Sequence, residues 1–224
     1  MTNDNLQIAI DGPAASGKST VARMVADRLN AFYLNTGEMY RTITWALMNK
    51  GITDFENDET LSDFLASSDL RYSLNDQDDL VLFLDDEVVD INEVRQPEVT
   101  ANVSLVAKRP LIRQWMLERQ RSCAKLGLLV AEGRDIGTVV FPNARWKLFV
   151  TATPMERARR RLAQSSEVEA GITLEELAKQ IADRDRIDET REVSPLKPAE
   201  DSIIVDTTGL SIEEVLDKIA GIVK

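Results

Sequence analysis

The chain has 224 residues, 43% hydrophobic and 29% charged, enough for one α/β domain with an insertion around a sizeable core. Its net charge of −11 disfavours a nucleic-acid polymer as partner, although a local arginine cluster can still take a single nucleotide. It has no histidine and one cysteine, Cys123, which excludes imidazole bases, histidine-ligated metals, an internal disulfide and a cysteine-built zinc site.

The first five residues, Met1-Thr2-Asn3-Asp4-Asn5, lack the basic and apolar regions of a signal peptide. No apolar run is long enough to span a membrane, and with the single cysteine this points to a cytoplasmic protein. Leu6, Ile8, Ala9 and Ile10 predict a short buried strand. Gly12-Pro13-Ala14-Ala15-Ser16-Gly17-Lys18-Ser19 follows and fits the phosphate-loop pattern G-x-x-x-x-G-K-[ST]. Val21, Ala22, Val25 and Leu29 then recur at helical spacing. A strand, a glycine loop and a helix start are what a phosphate cradle needs. The glycines let backbone N–H groups turn toward an anion, and the helix N-terminus adds partial positive charge. Lys18 is placed to reach β- and γ-phosphates, and Ser19 to ligate Mg²⁺.

Leu34 ends a second short strand, and Asn35-Thr36-Gly37 turns into a helix carrying Tyr40 and Arg41. In a doubly wound fold that turn lies at the carboxyl edge of the sheet, beside the phosphate loop. Arg41 is either a bidentate ligand for a second phosphate or an ordinary surface arginine. From Leu70 to Ile91 the rhythm changes to short apolar segments split by Asp76-Gln77-Asp78-Asp79 and Asp85-Asp86. That pattern predicts a small antiparallel meander inserted into the α/β order.

Leu128 to Ala131, Trp146 to Val150 and Ile203 to Val205 read as further strands alternating with helices. Such alternation predicts a parallel sheet with helices on both faces. Glu132-Gly133-Arg134-Asp135-Ile136-Gly137 comes directly after a buried strand, where charges face a ligand crevice or form a structural salt bridge. Thr153-Pro154-Met155-Glu156 is a capping box. In the helix it opens, Arg157, Arg160 and Arg161 share a face, which is either a lid over phosphates or a solvated basic surface. Gln164 to Gly171 reads as a mobile polar segment beside it.

Thr173-Leu174-Glu175-Glu176 caps the next helix. Its apolar stripe, Leu174, Leu177 and Ile181, continues at the same spacing into Arg184, Asp188 and Arg191. A core-facing stripe that becomes charged either enters a polar ligand site or ends in solvent with an Arg184–Asp188 pair. Ser211-Ile212-Glu213-Glu214 opens a last helix with Ile212, Val215, Ile219 and Ile222 on one packing face.

Together these segments resemble the bacterial-type cytidylate kinase family from about Ile8 to Ile222. The specific pieces are Ile10-Asp11-Gly12-Pro13, Thr36-Gly37 with Tyr40-Arg41, and the run from Glu132-Gly133-Arg134-Asp135 to Val140-Phe141-Pro142. Arg184-Asp185 with Asp188, Arg191, Pro195-Leu196 and Asp206-Thr207-Thr208 complete the set. The resemblance implies ATP–Mg²⁺ as donor, and CMP or dCMP as acceptor. It implies a single kinase domain over 1–224: a phosphate-loop core (about 1–65, 104–152 and 192–224), a CMP-binding insert (about 66–103) and an arginine-bearing lid (about 153–191).

Carried over by position, Gly12, Pro13, Ala14, Ala15, Ser16, Gly17, Lys18, Ser19 and Thr20 bind ATP, with Arg157 and Arg161 from the lid. Thr36, Arg41, Ser104, Arg113, Arg134, Asp135, Arg184, Asp188 and Arg191 contact CMP. Arg41, Arg134 and Arg191 take its phosphate, Arg184 and Asp188 its sugar, and Ser104, Arg113 and Asp135 its base. Lys18, Arg134, Arg161 and Arg191 are the expected catalytic cations. Thr36 stands where the family pattern has serine, and the hydroxyl is kept. A monomer is expected. The rival readings are another phosphate-loop small-molecule kinase, for UMP/CMP, AMP, dephospho-coenzyme A or shikimate, and a nucleotide switch without turnover. A guanine-reading N-K-x-D is missing, because Asn49-Lys50 runs into Gly51-Ile52.

Overall fold

The computed structural model of the chain describes residues 6–77, 79–163, 168 and 171–223. In chain order it forms β1 (Gln7–Asp11), α1 (Lys18–Leu29), β2 (Phe32–Asn35), α2 (Thr36–Asn49), α3 (Asp58–Ala66), β3 (Leu70–Leu74), β4 (Leu80–Leu84) and β5 (Glu87–Val88). Then come α4 (Ile91–Val94), α5 (Pro97–Ala107), α6 (Pro110–Ser122), β6 (Leu129–Gly133), β7 (Trp146–Thr151), α7 (Pro154–Ala163), α8 (Leu174–Glu189), β8 (Ile203–Asp206) and α9 (Ile212–Ile222). A single π-helical turn, Ile136–Val140, lies between β6 and β7. Residues 1–35 with 124–224 make one unit, and residues 36–123 a second.

The first unit is built on a five-stranded parallel sheet in the order β2-β6-β1-β7-β8. Every residue of β1 is buried, as a central strand's apolar run requires. Ile8 and Ile10 point to one face. There they pack with Val130, Leu148, Val150 and Val205 against Val21 and Val25 of α1 and Val215 and Ile219 of α9. Each such side chain contributes about 1.5–3 kcal/mol by leaving water. The period-2 alternation of a strand sends Asp11 to the opposite face. α1 starts at Gly17, whose φ of 90° suits glycine, and stops at Asn30 in the left-handed region.

β1 leads through α1 to β2, yet its neighbour in the sheet is β6. The carboxyl ends of β1 and β6 therefore flank a topological switch point, the usual ligand crevice of an open α/β sheet. The phosphate loop leaves one of these strands, and Arg134-Asp135 leaves the other.

α7 and α8 form a small core of their own, Ala158 with Leu177 and Ile181, and Ala15 of the loop packs against it. The Thr173 and Ser211 capping boxes both form, each supporting its helix by about 1 kcal/mol. The box at Thr153 forms in part. Glu156 N–H reaches Thr153 Oγ1 at 3.4 Å, but Thr153 N–H goes to Thr208 Oγ1, and Glu156 pairs with Arg160. One expectation for α9 fails: Ile212 is exposed, because it precedes the turn that meets the core. The segment from Gln164 to Gly171 lies, apart from Val168 and Gly171, outside the described residues.

The second unit carries the expected meander. β3 and β4 pair antiparallel from Leu70↔Leu84 to Leu74↔Leu80, and β5 returns along β4. Asp85 and Asp86 both have positive φ, the two-residue hairpin turn whose twist suits antiparallel strands. α5 and α6 open on Pro97 and Pro110 at the first helical turn. Leu61, Leu70, Ile112 and Met116 are fully buried here. No helix among the described residues is long and apolar enough to cross a membrane.

Candidate functional site

The phosphate loop is strained and tightly held. Gly12 has φ 152°, and a Cβ added there would lie 2.0 Å from Val150 O, so only glycine fits against β7. Ala15 has φ 56° and Gly17 φ 90°, which turns the following N–H groups inward. Lys18 is buried, and its Nζ donates to Pro13 O at 2.8 Å. Burial, and then Arg134, Arg184 and Arg161 nearby, lower its pKa well below the usual lysine value, against the pull of Glu132. Such crowding of cations at a helix N-terminus is an anion site. Ser19 Oγ donates to Glu132 Oε2 at 2.9 Å. Glu132, buried near the end of β6, also accepts from Tyr33 OH.

Three arginines meet one carboxylate on the other side of the crevice. Asp188 of α8 accepts from Arg134 Nε at 2.9 Å, and Arg191 Nη1 lies 3.7 Å from its second oxygen. Burial alone would raise the Asp188 pKa, but Arg134, Arg184 and Arg191 hold it below the usual carboxylate value. Three positive charges act on Asp188, and Asp185 acts on Arg184 as well, so cations crowd this group around few carboxylates. Arg184 Nε is buried and has no hydrogen-bond partner among the described residues. Asp135 is buried, and its carbonyl accepts the N–H groups of Val139 and Val140, which closes the π-turn behind it.

Asp11 sets the position of that turn. Its two carboxylate oxygens accept the N–H groups of Ile136 and Gly137, each at 2.7 Å. Burial pushes its pKa up to about 7, although both N–H bonds pull it down. An acid whose folded pKa is raised contributes stability that is complete below its unfolded pKa and is lost as pH rises through the folded value. Asp11→Asn should therefore lack a stability decrease that the parent shows between about pH 4 and about pH 7. Thermal unfolding of both proteins across that window checks it, and parallel profiles would refute it.

The second unit holds its own set of polar residues. Thr36 is the first residue of α2 and is buried. Arg41, one and a half turns on, donates to Thr100 Oγ1 at 2.6 Å. Ser104 is buried on α5, and Arg113 on α6 donates to Ala107 O at 3.2 Å with its guanidinium 5.5 Å from the Tyr40 ring. Glu38 of α2 binds Arg95 and Tyr72, which fastens β3 to the helix.

The family model for cytidylate kinase matches residues 8–224. The cytidylate kinase of Geobacillus sp. (strain WCH70) is 47% identical over 220 residues, covering 98% of this chain and 97% of the relative. That of Bacillus thuringiensis (strain Al Hakam) is 46% identical over 218 residues, covering 97% and 96%. The chain belongs to the cytidylate kinase family. A crystal structure of an uncharacterized protein from Eubacterium ventriosum has the same fold, with a TM-score of 0.51 at 12% identity over 98% of each chain.

Within a cytidylate kinase framework the donor side fits Mg²⁺. Ser19 Oγ and the Glu132 carboxylate are hard oxygen donors already 2.9 Å apart. Among the described residues no three acidic or cysteine side chains cluster to hold an ion alone. Sequence reasoning passed over Glu132, which looked like a loop residue but ends a buried strand. It placed Arg160 only on a basic face, either a lid or a solvated surface, whereas its guanidinium reaches Ser16 O at 3.2 Å and Thr207 O at 2.7 Å. No spacing in the sequence signals that long-range contact. Arg157, expected to face phosphates, is buried and donates to Ala152 O and Ala14 O. Arg161 remains part-exposed on the same helix.

Proposed function

We propose that this kinase transfers the γ-phosphoryl group of ATP to CMP or dCMP, giving ADP and CDP or dCDP. The observation that carries the reading is a strained phosphate loop whose lysine stands among Arg134, Arg161 and Arg184, in a chain matching the cytidylate kinases almost end to end. ATP is assigned to Gly12 through Thr20 with Arg157 and Arg161. CMP is assigned to Thr36, Arg41, Ser104, Arg113, Arg134, Asp135, Arg184, Asp188 and Arg191. Residues 66–103 serve as the CMP-binding insert and 153–191 as the lid. The enzyme works as a cytoplasmic monomer.

The acceptor's phosphate has its second pKa near 6, so at neutral pH its oxygen is already a nucleophile. No general base is needed, and a chain without histidine loses nothing. Lys18, Arg134, Arg161 and Arg191 neutralise the charge spread over the transferring group. Ser19 and Glu132 would hold Mg²⁺, which supplies further charge neutralisation at the donor phosphates. Cytosine offers acceptors at O2 and N3 and a donor at its amine. Arg113 supplies donors, and Asp135 and Ser104 accept. Uracil reverses the pattern at N3 and O4 and would leave buried groups unpaired.

The test is ADP release from ATP–Mg²⁺ with CMP, dCMP, UMP, AMP, GMP or no acceptor. CMP and dCMP should turn over at least about 100-fold faster than UMP in kcat/KM, since a site built on hydrogen bonds rejects mismatched edges. Equal turnover of UMP would overturn the base assignment. Turnover with no acceptor alone would replace the kinase by a nucleotide switch.

A further inference from the structure

Asp185 has no role in the assignments above, yet it is one half of a buried ion pair of the first unit. Asp185 of α8 and Arg157 of α7 are bonded to each other, and both are almost fully buried. They also bracket one residue of the phosphate loop. Asp185 Oδ1 accepts the Ala14 N–H at 3.2 Å, and Arg157 Nη1 donates to Ala14 O at 3.1 Å. Two residues on, Arg160 Nη1 donates to Ser16 O at 3.2 Å.

A loop that binds an anion through N–H groups must turn its carbonyls outward, and each buried carbonyl needs a donor. Here α7 supplies a guanidinium donor to each, and Thr207 Oγ1 also donates to Ser16 O. The loop also needs holding. Ala15 sits at φ 56°, a conformation that a residue other than glycine, asparagine or aspartate keeps only when its surroundings impose it. The bracket on Ala14 imposes it from the residue before. Because the Ala14 N–H is committed to Asp185, the N–H groups left for phosphates start at Ala15.

We infer that Asp185 is a positioning residue for ATP: with Arg157 it fixes the Ala14 peptide so that the loop meets the donor phosphates already in shape. It touches neither nucleotide. This inference rests on the kinase reading, but its test does not need turnover.

Sign separates this role from simple electrostatics. Asp185→Asn removes a negative charge near an anion site. Charge alone predicts tighter ATP binding, whereas loss of preorganisation predicts weaker binding. The neutral pair Asp185→Asn with Arg157→Met keeps the net charge and guards against a variant that fails to fold around an unpaired arginine. Asp185→Glu keeps the charge and moves it by one methylene.

Isothermal calorimetry would give Kd for ATP and, separately, for CMP with each folded variant. The expected result is ATP weakened by about tenfold or more in all three variants, with CMP changed by less than about twofold. Unchanged or tighter ATP binding in any folded variant would overturn the inference. Equal weakening of ATP and CMP would overturn it too, because that marks a general structural role. Failure of the parent protein to release ADP in a CMP-dependent way would sink the kinase reading and leave this comparison intact.

Discussion

Lys18→Met should cut kcat for CMP by about 10³-fold while leaving the fold as stable as the parent or more so. The loss follows from what the ammonium does. It is the one lysine in the loop, held at 2.8 Å from Pro13 O and within the electrostatic reach of Arg134, Arg184 and Arg161. Removing a preorganised cation from a charge-developing transition state takes away about 10²–10³ in rate at a single oxyanion contact, and cations serving phosphoryl transfer reach about 10³–10⁵. Stability should not fall, because the folded protein crowds this charge among like charges and away from water. A methionine of similar length fills the space without that cost. Steady-state kinetics and a thermal melt on the same preparation decide the matter. Turnover within tenfold of the parent would remove Lys18 from the catalytic set.

The phosphate loop was readable because its function is contiguous: strand, glycines, lysine and helix start follow one another in 20 residues or so of chain. The charged end of α8 was readable for a similar reason. Leu177, Ile181, Arg184 and Asp188 recur at helical spacing in α8, and Arg191 follows just past its end; the change from apolar to charged is visible without coordinates, whereas the burial of the charged end is not. What the sequence concealed is what each face meets. Arg157 and Arg160 share a face by spacing, yet spacing does not tell a phosphate from a loop carbonyl. Asp185 meets Ala14 across 171 positions of chain, and Glu132 meets Ser19 across 113. No local pattern encodes a hydrogen bond over such separations. The same limit explains Ile212, whose periodicity matched the packing face although the residue is exposed at the first turn of α9.

Asp188→Asn should be the most destabilising single change at this site. The side chain accepts from Arg134 and pairs with Arg191, and Arg184 adds a third positive charge. Deleting one partner of a buried ionic group leaves charge uncompensated and costs about 3–5 kcal/mol. For a chain of this size each kcal/mol is about 2–4 °C, so the melting temperature should drop by about 6–20 °C. The parent's own dependence on pH has a defined sign. Because the folded pKa of Asp188 is depressed, its contribution is present above the unfolded carboxylate pKa and is lost as pH falls through the folded one. The variant should not show that acid loss. Its cationic trio should also gain more from an added anion than the parent does. A ligand that binds only the folded state stabilises by RT ln(1 + [L]/Kd), and a site left with excess positive charge has the lower Kd for phosphate. Melting both proteins over a series of inorganic phosphate concentrations, at constant ionic strength, tests this. A larger phosphate-induced shift in Asp188→Asn is the expected result. Equal shifts would mean that the carboxylate is not what balances the three arginines, and that the cluster is neutralised elsewhere in the fold.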